Sequence, residues 1–147
     1  MAERSASWFQ LRYAVRVHLR ATPAAVWARL TDAAGFPRWN STVESIEGDI
    51  APGSRLQIRV PAAPGRTFTP TVVAWEAERH MTWSDGFYPM FRGVRTFALT
   101  PGDGGTTFDM VETFQGLFVP LVARSLPDFG PIFDRYAADL RAACEGG

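Results

Sequence analysis

The sequence RGVRTFALTPGDGGTTFDMVETFQG, residues 92–116, decides the fold of this chain. It centres on Asp103-Gly104, and Asp-Gly between alternating apolar residues is the strongest short-range signal for a two-residue β-hairpin turn. These turn residues set a register in which the apolar residues of one face oppose each other, whereas a one-residue slip would set Phe97 opposite Asp109. The predicted pairs are Leu99 with Phe108, Phe97 with Met110, Arg95 with Glu112, and Gly93 with Phe114.

One predicted pair is charged, because Arg95 and Glu112 project from the apolar face that should point inward. An inward ion pair would orient a carbonyl or carboxylate, or let Glu112 act as a general base while Arg95 stabilises an enolate. The alternative is a structural cross-strand salt bridge that closes one end of a cavity. Tyr13, on the inward face of an earlier strand, is the third candidate catalytic residue, and its hydroxyl meets either a ligand or a partner at the cavity edge.

The N-terminal part predicts one strand and two short helices. Residues 1–10 are expected to form a flexible extension, and alternation over 12–20 predicts a half-buried strand. Thr22-Pro23 predicts a helix that ends near Thr31, with Thr22 as N-cap. A second short helical piece is expected to begin at Asp32 and to stop between Gly35 and Pro37.

The middle of the chain predicts antiparallel strands. Apolar alternation or β-rich composition marks four runs, residues 43–50, 55–60, 68–77 and 80–84. Residues 86–90 form an aromatic-rich loop, which is either a flexible apolar lid or a packed connection.

After Gly116 the spacing becomes helical. We therefore expect an α+β fold: a curved antiparallel sheet of about six to seven strands around a long C-terminal helix, in one domain spanning residues 1–147. The helix tolerates Pro127 in its first turn. Its apolar stripe is Val122, Leu126, Phe129, Phe133, Tyr136 and Leu140.

A strongly curved sheet that grips one helix often leaves an apolar space between them, which suits a small apolar ligand. Large aromatics are also common in a plain core, so both interpretations apply to the tryptophans. The candidate ligand-binding residues are Trp39, Met81, Trp83, Phe91, Phe97, Met110, Phe129, Phe133 and Tyr136.

Several short motifs resemble a known superfamily. The motifs are residues 17–21, Thr22-Pro23, Val26-Trp27, Asp32, Phe36-Pro37, Trp39-Asn40, Phe91-Arg92-Gly93 with Phe97, Gly105-Thr106-Thr107, and residues 112–116 before the closing helix. They resemble START-like, or SRPBCC, helix-grip proteins, and within these the polyketide cyclase/dehydrase and lipid-transport branch. The resemblance implies a fold shared by aromatases, cyclases, carriers, hormone receptors and chaperone activators, so it leaves the function open.

Composition excludes several classes of function. The 15 basic residues balance 15 acidic ones, which argues against nucleic-acid binding. One cysteine and two histidines argue against structural zinc, and without a phosphate loop, dinucleotide fingerprint or catalytic triad we expect no metal and no cofactor. The longest apolar stretch, residues 117–126, falls far short of the roughly 20 residues that span a bilayer, so no stable membrane insertion is expected. No signal peptide is visible, which predicts a cytoplasmic protein, a monomer or a homodimer.

Three functions remain. The first is binding of a hydrophobic small molecule, lipid-like or polyketide-like, in the cavity. The second is a cofactor-free polyketide cyclase or aromatase, in which Glu112, Arg95 and Tyr13 assist aldol chemistry and loss of water. The third is a protein-interaction module similar to chaperone activators, which would use exposed residues such as Arg55. Whether the chain is an enzyme is left open by its sequence.

Overall fold

Two β-sheets and one long helix form most of the molecule in the computed structural model, which describes residues 2–146. The elements are, in chain order, β1 (Glu3–Ser7), β2 (Gln10–Leu19), α1 (Pro23–Leu30), α2 (Phe36–Trp39), β3 (Ser45–Glu47), β4 (Gln57–Arg59), β5 (Thr71–Glu76), β6 (His80–Phe87), β7 (Phe91–Gly102), β8 (Gly105–Gln115), α3 (Val119–Val122) and α4 (Phe129–Glu145). Among these helices none is long and apolar enough to cross a membrane. The fold is α+β, as expected.

The large sheet is antiparallel and has the strand order β1-β2-β8-β7-β6-β5. Strands β3 and β4 form a separate small sheet. Isolated bridges from Arg55 to Thr71 and from Ile58 to Phe68 connect the β4 region to the segment that leads into β5. The small sheet thus extends the curved wall that faces α4.

The β7–β8 hairpin has the register that its turn predicts. Arg95 pairs with Glu112, and Phe97 pairs with Met110. Gly102 pairs with Gly105, so Asp103 and Gly104 are the turn residues. Both neighbouring strands then align on this hairpin, β2 along β8 and β6 along β7.

Three inward-facing rows of side chains cross the sheet in consequence. The first row is Met81, Phe97, Met110 and Val15; the second is Trp83, Arg95, Glu112 and Tyr13; the third is Asp85, Gly93, Phe114 and Leu11. Helix α4 packs over these rows with the buried residues Phe133, Tyr136 and Leu140. The core therefore lies between α4 and the concave face of the sheet.

The expectation of a flexible N-terminal extension is wrong for residues 3–7. These residues form strand β1, which pairs with β2 from Glu3↔Ala14 to Ser7↔Gln10. Their side chains are all exposed, so no apolar pattern marks them. The backbone groups at the edge of β2 supply the partners that make this segment a strand. Met1 of the expected extension, like Gly147 at the other end of the predicted domain, lies outside the described residues.

Two predicted helix boundaries are also wrong. The second short helix starts at Phe36 and not at Asp32, because the Asp32 carboxylate accepts a hydrogen bond from the Gly35 backbone and closes a turn there. The long helix starts at Phe129, capped by Asp128, whose side chain accepts from the Gly130 backbone at 3.0 Å.

The apolar stripe predicted for the long helix is consequently divided. Val122 ends the short helix α3, and Leu126 lies in the connection between α3 and α4. Pro127 follows directly, and a proline disfavours helical backbone in the residue before it. The interruption places Leu126 in the connection instead of on the helix.

The predicted strand limits differ in the middle of the chain. Strands β3 and β4 have three residues each, shorter than their predicted runs. Strand β6 continues through Asp85 to Phe87, so that part of the predicted aromatic loop is strand. The remaining turn is tied down, because Leu117 N donates to Pro89 O at 2.8 Å and Phe118 N donates to Met90 O at 2.9 Å. These bonds favour the packed connection over the flexible lid.

Gly105, the first residue of β8, provides a test of how closely β8 approaches the end of β2. A Cβ atom at Gly105 would overlap the Leu19 carbonyl oxygen of the adjoining chain, whereas a Cβ atom at Gly102 meets open space. We expect Gly105→Ala to lower the free energy of unfolding by about 2 kcal/mol or more, and Gly102→Ala by less than about 0.5 kcal/mol. Urea denaturation of both variants measures the difference. Equal losses would contradict the close approach of β8 to the end of β2.

Candidate functional site

A cavity of about 260 Å³ lies between the sheet, the β4 region and the start of α4. Its wall is mostly apolar and strongly aromatic, with a few polar side chains that converge on it, as is typical of small-molecule sites. The apolar lining is Ile58, Val60, Phe68, Pro70, Trp83, Phe91, Phe114, Leu126 and Phe129, together with Gly86 and Gly93, and the charged lining is Arg66, Asp85, Arg95 and Glu112.

Gly93 keeps one side of this cavity open. It sits in the third row between Asp85 on β6 and Phe114 on β8. A Cβ atom at this position would lie 3.3 Å from the Phe114 ring and 3.7 Å from Glu112 Oε2. Any larger side chain would therefore occupy space beside the charged pair.

The central polar feature is the ion pair of Arg95 and Glu112. Arg95 Nε donates to Glu112 Oε1 at 3.0 Å, and the two side chains are only 20% and 12% exposed. The Arg95 guanidinium carbon also lies 5.2 Å from the centre of the Phe133 ring, within the range of a cation–π interaction. The pair is thus held by its register, by a hydrogen bond and by the aromatic face of α4.

The surroundings of the Glu112 carboxyl shift its pKa. Burial raises its pKa above the ordinary value, and the Arg95 charge and hydrogen bond oppose this rise. The nearby Asp85 charge raises the pKa further. A carboxyl with this environment exchanges a proton at higher pH than a surface glutamate, which suits general acid–base chemistry.

Asp85 is a site residue that sequence reasoning missed. In the sequence it is in phase with the inward residues Met81 and Trp83, but the Gly86 that follows it favours a turn residue at this position. The structure extends β6 past this point, so Asp85 faces the cavity and accepts a hydrogen bond from the Thr69 backbone at 3.1 Å. Arg66, also missed, lines the cavity from a loop and carries no periodic signal.

The predicted site residues separate into two groups. Five line the cavity: Trp83, Arg95 and Glu112 from the second row, Phe91 at the start of β7, and Phe129 at the start of α4. The other candidates are not lining residues of this cavity, and they pack against each other as core: Trp39, Met81, Phe97, Met110, Phe133 and Tyr136. Phe133 and Tyr136 belong to the middle of α4, where their rings pack on Tyr13 and Phe108 of the sheet.

Tyr13 is in the second row but does not reach the cavity. Its ring packs against Phe129 and Phe133, with centroid distances of 5.6 Å and 6.0 Å. Its hydroxyl accepts from Arg4 Nε at 3.4 Å, on the strand that the sequence did not predict. Of its two interpretations, the geometry favours a hydroxyl that finds a partner at the edge.

A second, smaller pocket of about 40 Å³ adjoins the first. It lies between α2, β3 and the middle of α4, where Tyr136 is one of its lining residues. Ile58, Val60, Trp83, Arg95 and Phe129 line both spaces, so the two are neighbours along these residues. Arg95 thus borders two compartments. No group of three or more potential metal ligands occurs within residues 2–146.

Comparison with known proteins identifies the type of scaffold. The family model described as polyketide cyclase / dehydrase and lipid transport matches residues 10–145. The search of curated proteins found no match.

Solved structures share the architecture at low identity. A Mesorhizobium loti protein superposes with a TM-score of 0.72 at 21% identity, covering 90% of this chain and 95% of that chain. Truncated norcoclaurine synthase from Thalictrum flavum gives a TM-score of 0.70 at 14% identity, covering 97% and 98%. A START superfamily protein from Mycobacterium smegmatis gives a TM-score of 0.68 at 17% identity, covering 92% and 97%. These similarities establish the START-like, helix-grip fold.

The raised pKa of Glu112 predicts a pH-dependent stability. The folded protein holds the Glu112 proton more tightly than the unfolded chain, in which the pKa of this carboxyl is near 4.5. The stability that this proton contributes is therefore fully present below pH 4.5 and is lost as the pH rises through the pKa of the folded state. Glu112→Gln removes the titration. The melting temperature of the variant minus that of the wild type is therefore expected to increase from pH 4.5 upward, measured by calorimetry across pH. A difference that decreases over this range would contradict the direction of the shift.

Proposed function

The chain belongs to the polyketide cyclase / dehydrase and lipid transport family, and from this premise we propose that it binds a hydrophobic small molecule in the cavity beside Arg95 and Glu112. The observation that carries the proposal is the cavity itself, an aromatic-walled space that contains one largely buried ion pair. Apolar walls supply affinity by removing apolar surface from water, and a few fixed polar groups orient the ligand.

The size of the cavity supports a compact ligand. Small-molecule sites usually measure about 300–1,000 Å³, and the 260 Å³ found here lies just below that range. A fused-ring, polyketide-like molecule fits this volume better than a two-chain lipid. The five aromatic lining residues favour flat ligands, since ring faces pack well against one another.

A second candidate function is cofactor-free cyclase or aromatase chemistry. The specific observation in its favour is Glu112, a cavity carboxyl whose pKa is raised by burial and which lies beside a guanidinium. Glu112 would take a proton from carbon next to a carbonyl, and Arg95 would stabilise the enolate oxygen that develops. Tyr13 has no part in this version because it does not line the cavity.

Filling the cavity tests the binding function. Leu126→Trp places a larger ring into the space from the α3–α4 connection, whereas Leu121→Trp, at a position 75% exposed on α3, is the matched control. A fused-ring probe such as anthrone is expected to raise the melting temperature of the wild type and of Leu121→Trp, because a ligand that binds only the folded state stabilises it. It should have no effect on Leu126→Trp. Equal shifts in both variants would place the ligand elsewhere.

Glu112→Gln separates carrier from enzyme. A carrier keeps nearly the same affinity for its ligand, because the amide still accepts a hydrogen bond from Arg95. A cyclase keeps binding but loses turnover, by about 100-fold or more, since a general base contributes roughly 10²–10⁴ to the rate. Incubation with a linear poly-β-ketone and analysis of ring products by mass spectrometry measures turnover. Unchanged product formation by the variant would remove Glu112 from the chemistry.

A further inference from the structure

The inner pocket beside Tyr136 is bordered by two polar groups without a partner. Two of its lining residues carry buried polar atoms without a hydrogen-bond partner, the Trp83 Nε1 and the Tyr136 hydroxyl. Trp83 is 4% exposed and Tyr136 is 2% exposed, so neither side chain is available to bulk water. Buried polar groups are normally paired, and an unpaired one destabilises the folded state. Two such groups on one small pocket point to an occupant that pairs with them.

Both unpartnered groups on this pocket can donate a hydrogen bond. The indole Nε1 of Trp83 is a donor only, and the phenol of Tyr136 donates its proton. Burial raises the pKa of Tyr136 far above its ordinary value, with the Arg95 charge opposing, so this hydroxyl keeps its proton. Arg95 uses Nε for Glu112, which leaves its terminal nitrogens as further donors. The matching group on an occupant is an oxygen acceptor.

The charges around the two compartments favour a neutral acceptor over an anion. Arg66 and Arg95 balance Asp85 and Glu112 among the lining residues of the main cavity. Arg95 is already paired with Glu112 at 3.0 Å. A ligand carboxylate would add a third negative charge to a site whose two arginines already balance two carboxylates, and like charges repel each other more strongly in a buried site than in water.

We propose that the inner pocket is a subsite for a neutral oxygen acceptor, a ketone or phenol oxygen, at the end of the hydrophobic ligand that enters first. This inference rests on the proposed binding function and specifies the ligand class and its orientation. The pocket volume of about 40 Å³ exceeds the roughly 10–15 Å³ that one water needs and is too small for a further ring. The apolar body of the ligand then remains in the main cavity against Phe91, Phe114 and Phe129.

Matched ligands test the subsite in the intact chain. Naphthalene, acetylnaphthalene and naphthoate share the apolar body and carry no oxygen, a neutral ketone and a carboxylate, respectively. Equilibrium dialysis measures their dissociation constants. We expect acetylnaphthalene to bind about five- to tenfold more tightly than naphthalene, the gain expected from one or two neutral hydrogen bonds, and naphthoate to bind more weakly than acetylnaphthalene.

Two variants locate the interaction. Tyr136→Phe and Trp83→Phe should each reduce the ratio of acetylnaphthalene to naphthalene affinity toward one. Trp27→Phe, at a buried tryptophan that packs against Trp75 and lines neither pocket, is the matched control and should leave the ratio unchanged. The ratio cancels any general change in packing, because both probes fill the main cavity in the same way. Tyr136→Phe should melt no lower than the wild type, since it removes an unpartnered hydroxyl.

The possible failures are distinguishable. If none of the three probes binds, the proposed function is contradicted, and the subsite that depends on it is contradicted too. If naphthalene and acetylnaphthalene bind equally, the cavity stands and the subsite is overturned, with a structural water as the partner of Tyr136. If naphthoate binds most tightly, the subsite accepts anions and the inference of a neutral ligand is overturned.

Discussion

The register of the β7–β8 hairpin is the constraint on which the rest of the structure depends. Asp103 and Gly104 form the turn, so each residue of β7 opposes one defined residue of β8. Side chains of a strand alternate between faces, and a slip by one residue would turn the whole inner face outward. Strands β2 and β6 align on this hairpin from either side. Through them the register also sets the three inward rows and hence the wall of the cavity.

The charged row is the costly part of this arrangement. Removing Arg95 and Glu112 from water costs several kcal/mol for each ion. Their mutual attraction offsets this cost only when the pair has favourable geometry and further contacts. Here the hydrogen bond and the Phe133 ring supply such contacts. An apolar pair would pack at this position with less penalty. The proposed ligand-binding role would account for an ion pair at a position where it adds little to stability.

The cavity exists because the side chains at one strand position and at the start of one helix leave space unfilled. Gly93 has no side chain at the centre of the third row, where both neighbouring strands present large or charged groups. Helix α4 begins only at Phe129, since Pro127 and the cap at Asp128 separate it from α3. Space therefore remains beside the connection, where Leu126 and Phe129 line the cavity.

Local patterns in the sequence were enough to predict the hairpin register, the α+β class, the long C-terminal helix and the inward pairing of Arg95 with Glu112. Turn chemistry and period-two alternation are local, so they can be read without a structure. Only the tertiary structure decided which aromatic residues line the cavity and which are core, because Met110 and Phe114 carry the same inward pattern on one strand and differ only in what covers them. The tertiary structure also decides that the exposed residues of β1 form a strand, because they pair with the edge of β2. It likewise places Asp85 within β6, which continues beyond its predicted end.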